Sequence, residues 1–195
     1  MKNSFLYIAA ISIIAVSCSK RSATNHTTSP TTETIITEDA SLTTGSAGKS
    51  TSRPFKGSLT YQLNTSLGLP CNCGPLIPLG DFEGTGTVTH MGLLKAKNKT
   101  CAAPIIVNGN YVGNRITAQC ASFTAANGDQ IFCNIPPYDL YFTAQGVATG
   151  TLEAEFTGGT GRFANATGSF TGTMTVPLSN PNTAVLSNIN GTIGY

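Results

Sequence analysis

Charge is scarce in this chain: 11 Lys and Arg against 9 Asp and Glu leave a net charge of +2 over 195 residues. So small an excess cannot supply the dense basic surface that phosphate backbones require, which excludes a nucleic-acid partner. An acidic solvating tail is excluded as well. Tryptophan is absent and histidine occurs only at His26 and His90, too few ligands for a histidine-rich metal centre. Nor is the spacing Cys71-Asn72-Cys73 that of a zinc knuckle, so no metal and no cofactor are expected. Glycine, by contrast, is plentiful: 21 residues spread through the chain, each costing about 1 kcal/mol relative to alanine inside a helix. A helical bundle is thereby disfavoured and an all-β domain expected.

The N-terminus reads as an export signal. Lys2 begins it, and Ser4 to Ser17 is an uncharged, mostly apolar run, too short for a helix to cross roughly 30 Å of hydrocarbon. Residues 1–17 are assigned to a signal peptide. Ala15-Val16-Ser17-Cys18 places small residues before a cysteine and resembles the lipobox of bacterial lipoproteins. The resemblance implies that Cys18 is acylated and becomes the mature N-terminus, held in the membrane by about 0.8 kcal/mol per buried methylene; plain secretion after Ser17 is the alternative. Ser19 in the second mature position implies the outer membrane, facing the periplasm. Half of the residues from Ser19 to Ser52 are Ser or Thr and none is aromatic, so residues 18–52 are read as a disordered tether that cannot offset its own ordering entropy.

The folded region is expected from 53 to 195, where period-two alternation dominates. Phe82, Gly84, Gly86, Val88 and His90 alternate with Asp81, Glu83, Thr85, Thr87 and Thr89. Leu152, Ala154 and Phe156 alternate with Glu153 and Glu155, and Phe170, Met174 and Val176 with threonines. These patterns describe half-buried antiparallel strands. Further strands are expected at 56–64, 91–97, 111–124, 130–135, 138–149 and 184–193. A single closed antiparallel barrel of about eight strands suits the many small inward residues, with a β-sandwich as the alternative.

Five cysteines follow Cys18, an odd set that permits at most two bridges. A two-residue Asn127-Gly128 hairpin loop would pair Ser122 with Cys133, leaving Cys120 diagonal to Cys133 on one face. A bulge there would let Cys120 and Cys133 bridge. Either Cys71 or Cys73 is a candidate partner for Cys101. The pairs Asp81/Glu83 and Glu153/Glu155 are phased outward, away from any enclosed acid and base chemistry. His90 is phased inward, but no Ser nucleophile elbow accompanies it, and a hydrogen-bonded structural role is the plainer reading. Gly158 to Phe163 mimics a phosphate-cradling loop, yet a strand pattern rather than a helix follows, so it reads as a turn. Arg162 is assigned there to loop carbonyls or a carboxylate, with anion binding as the alternative.

The run from Phe156 to Ser169 (FTGGTGRFANATGS) is similar to the GGTGRF-type segment of allene oxide cyclase-like and dirigent-like β-barrels, and GTGTVTHMG from Gly84 and TAANGDQIF from Thr124 resemble segments that recur with it. The resemblance implies an eight-stranded barrel with an apolar cavity, and trimers by analogy with plant members. No catalytic residue of the plant enzymes matches a position here. Three functions remain open: a non-enzymatic module binding a small apolar ligand or a partner protein, a cyclase or isomerase that confines its substrate, and a structural envelope protein with a packed interior. Tyr61, His90, Tyr138 and Arg162 are the candidate lining residues.

Overall fold

The computed structural model describes residues 51–195. The expected leader 1–17, the Cys18 attachment site and the tether up to residue 50 lie outside the described residues. Nine strands form: β1 (Arg53–Leu63), β2 (Ile77–Val88), β3 (Gly92–Val107), β4 (Asn110–Ala125), β5 (Gln130–Asn134), β6 (Tyr138–Phe142), β7 (Val147–Gly159), β8 (Thr167–Pro177) and β9 (Thr183–Gly194). One short 3-10 turn, Gly161–Phe163, sits between β7 and β8.

Every pairing is antiparallel. Successive strands pair in turn, and β9 pairs back onto β1, so the sheet closes on itself. β5 and β6 share one place in the ring, each bonded to β4 on one side and β7 on the other. Pro136 and Pro137 separate them, since neither has an N–H to give to a ladder. The result is a closed barrel of eight staves; with no open edge, the sandwich alternative is excluded.

Alternation decides which side chains turn inward. Phe55, Leu59, Val88, Leu94, Ala96, Phe123, Ile131, Leu152, Phe156, Phe170 and Leu186 form one continuous core, while Thr85, Thr87, Lys95, Thr151, Glu153, Glu155 and Thr171 stand in solvent. A membrane-spanning barrel would reverse this with an apolar outer belt about 25 Å tall. Tight closure needs strong local twist, and bulges supply it. Cys120 in β4 and Asn188 in β9 both take left-handed backbone, at φ 52° and 53°, beside register shifts in the β3–β4, β1–β9 and β8–β9 ladders.

The two ends of the barrel differ. Phe55, Phe123, Phe156 and Phe170 interlock at centroid distances between 4.9 and 6.3 Å and fill one half. Below them Phe163, fully buried, packs edge-on against Tyr195 at 4.9 Å and stops that end. The opposite half contains an open cavity.

Several expectations need correction. The strand expected at 91–97 runs on to Val107, ten residues further, and the one expected at 138–149 is broken by a turn at Thr143–Gly146, where Gly146 takes φ 74°. Cys120 does not bridge to Cys133. Ala125 accepts the Gly128 amide and donates to Asp129, so the β4–β5 loop has three residues rather than two, with Gly128 at φ 90°. Cys133 therefore pairs with Ala121 and faces the core, while the bulge turns Cys120 outward. Cys120 bonds instead to Cys71, and Cys73 to Cys101; Cys133 is a free thiol.

Candidate functional site

The cavity has a volume of about 350 Å3 and is predominantly apolar. Its walls come from strand segments nearest the open end: Tyr61 of β1, Phe82 of β2, Asn98 and Thr100 of β3, Asn114 and Ile116 of β4, Tyr138, Leu140 and Phe142 of β6, Ala148 of β7, Met174 and Val176 of β8 and Ala184 of β9. Leu79, Leu178, Pro181 and Asn182, all exposed, ring the entrance. On β7 the small Ala148 lines the open half where Phe156 fills the closed one. Ala148 and Ala184 are buried wall residues.

Two phenols sit deep in this wall. Tyr61 is only 5% exposed, and its ring occupies the room left by Gly84, opposite it in the ladder. Burial raises the Tyr61 phenol well above the ordinary tyrosine range, and proximity to Cys133 and Tyr138 adds to the rise. Burial alone raises Tyr138. Both phenols are protonated at neutral pH and available as hydrogen-bond donors. The Cys133 thiol, pushed up to about 12 by burial, is likewise a protonated, poorly nucleophilic group.

Asn98 is the third polar element, buried at 8% exposure. Thr100 Oγ1 donates to its Oδ1 at 3.2 Å, and its amide nitrogen has no protein partner among the described residues. Among the described residues, no Asp, Glu, Lys, Arg or His contributes to the lining. Two ion pairs lie nearby but on the outer surface. Arg115 meets Asp139 in a bidentate pair at 2.8 and 2.9 Å, which holds the Asp139 carboxyl below and the Arg115 guanidinium above their usual ranges. Asp81 is covered, at 7% exposure, by the loop 64–76: Leu69 N–H donates to its Oδ2 at 2.8 Å, and Lys99 Nζ stands 3.1 Å from its Oδ1 as an ion pair without hydrogen-bond alignment. Burial works to raise this carboxyl, but Leu69 and Lys99 together outweigh it and hold it low.

Of the residues singled out from sequence, Tyr61 and Tyr138 meet in the cavity, whereas His90 and Arg162 do not. The inward phase expected for His90 fails because β2 ends at Val88 and His90 takes φ 68° in the turn to β3, leaving its side chain exposed. Arg162 donates to the His90 carbonyl at 2.9 Å, faces Asp129 at 3.6 Å and lies 4.7 Å over the Phe163 ring. Both residues belong to the stopper at the closed end. Asn98 went unnoticed because the β3 pattern was read only to Lys97; continuing the alternation of Leu94 and Ala96 by one step puts Asn98 indoors.

Compared with protein-family models, curated proteins and solved structures, the chain matches none of them. Function has to be argued from the cavity itself. Its volume lies within the range of small-molecule sites, roughly 300–1,000 Å3, and its few polar groups on apolar walls are how such sites fix orientation.

Proposed function

We propose that this protein is a non-enzymatic module that holds one small apolar molecule in the open half of its barrel, carried on an envelope lipoprotein anchored through Cys18. The observation that carries the reading is the apolar cavity of about 350 Å3. A purely structural barrel gains nothing from holding apolar walls open to water, whereas a ligand that covers them gains roughly 25 cal/mol per Å2 of apolar surface buried. Confinement catalysis remains the second reading, since the resemblance to cyclase-like barrels favours it; against it, the lining offers only phenols and amides that hold their protons at neutral pH.

Titration with the neutral apolar fluorophore Nile red tests the proposal. Saturable one-to-one binding is expected in the wild type. Ala148→Trp, which drives an indole into the cavity, should weaken it at least tenfold while the protein still unfolds cooperatively. Absence of saturable binding, or equal binding by the two proteins, refutes the reading.

A further inference from the structure

The lining also specifies the chemistry of the occupant. This inference rests on the ligand-binding reading and goes one step past it. We infer that the ligand is uncharged and carries a hydrogen-bonding oxygen, a carbonyl or hydroxyl, that reaches inward to Asn98 and the phenols of Tyr61 and Tyr138.

Three observations converge. The Asn98 side chain is more than nine-tenths buried, lines the cavity and has a hydrogen bond only at Oδ1. Its amide nitrogen donates to no protein group among the described residues, so a ligand oxygen that accepts from it gains a hydrogen bond that only water would otherwise supply. Tyr61 and Tyr138 add two phenols to the same wall, protonated at neutral pH as any tyrosine is. A hydrocarbon would leave all three groups unanswered.

Charge is excluded by the rest of the site. Among the described residues no Asp, Glu, Lys, Arg or His lines the cavity, and the nearby pairs Lys99–Asp81 and Arg115–Asp139 are turned outward and already neutralised. A carboxylate or ammonium entering here would leave water without meeting a counter-charge. The approach is equally neutral: the connections at the open end, residues 64–76, 108–109, 143–146 and 178–182, contain no charged side chain. Nothing at that end would draw in an ion of either sign.

A matched set of probes separates these possibilities: ethylnaphthalene, acetylnaphthalene and naphthoate share one ring system and differ in the oxygen and the charge. Displacement of Nile red from the full-length chain at pH 8 should rank acetylnaphthalene at least tenfold above both others. Asn98→Leu should reduce the ketone's advantage over the hydrocarbon to less than threefold. Tyr138→Phe serves as the second variant should Asn98→Leu not fold, with the same loss expected. Equal affinity of ketone and hydrocarbon, or naphthoate binding as well as the ketone, overturns the inference and leaves the apolar-ligand reading standing. Failure of all three to displace bound Nile red overturns the inference alone, and absence of saturable Nile red binding overturns both.

Discussion

The ring of Tyr61 fills the space that a side chain at Gly84 would need: a Cβ placed on Gly84 stands 2.8 Å from two ring carbons of Tyr61 and 3.2 Å from Ala96 Cβ. The glycine thus shapes the cavity wall without lining it, since it leaves room for the Tyr61 ring against β2. Gly84→Ala is expected to destabilise the barrel by about 1–3 kcal/mol through overpacking. Combining it with Tyr61→Leu should recover part of that loss, and urea unfolding of the four proteins of the cycle measures the coupling. Strict additivity would show that the ring and the glycine do not share this space.

The loop 64–76 is clipped to the outside of the barrel by Cys73–Cys101 on β3 and Cys71–Cys120 on β4. With 28 and 49 residues between partners, loop-entropy reasoning gives each bridge about 3–4 kcal/mol. The double replacement Cys73→Ala/Cys101→Ala should therefore lower Tm markedly. Thiol labelling at pH 8 should leave Cys133 slow to react in the folded protein, because burial pushes it up to about 12, and label it quickly after unfolding in urea. Rapid labelling of Cys133 in the folded state, or labelling of Cys120 without reductant, would contradict these assignments.

Asp81 predicts an acid-sensitive contact. Its folded pKa lies below the unfolded value, so its stabilising share is complete above the ordinary value of about 4 and is lost as pH falls through the folded one. Asp81→Asn keeps an acceptor for Leu69 but loses the Lys99 pair. The expected cost is roughly 1 kcal/mol at pH 7, shrinking toward zero as pH falls through the folded value. Urea midpoints measured across pH 2–7 should show a shallower acid limb in the variant; parallel limbs would remove Asp81 from the account.

Alternation made most of the barrel legible, because one face of β7, β8 and the second half of β2 is wet and the other dry. It failed wherever the chain leaves strict pleating. The bulge at Cys120 reverses the phase of β4, and a single extra loop residue at Ala126–Gly128 changes the partner of Cys133; neither leaves a mark in a period-two pattern. Asp81 is outward by phase, as the alternation says, but becomes buried because a distant loop lies over it. Half of the candidate site was readable for the same reason: Phe82 and Met174 alternate inward, while Phe142 precedes a turn, Thr143–Gly146, with no strong signal, and Asn98 is polar where the pattern looks for an apolar residue.

The lipobox reading of Ala15-Val16-Ser17-Cys18 makes a separate prediction about location. Cys18→Ala should move the protein from the membrane fraction to the soluble fraction of the envelope. Persistence of the variant in membranes would defeat the lipid-anchor proposal and leave the barrel argument untouched.

The most direct test of ligand binding in the open half of the barrel is an NMR titration of the full-length chain with acetylnaphthalene, followed through backbone amides and methyl groups. The account predicts saturable shifts greatest at Asn98, Leu140, Ala148 and Met174, with His90, Arg162 and Phe163 unmoved at the stoppered end. An unchanged spectrum at saturating probe, or shifts centred on His90 and Arg162, would contradict it.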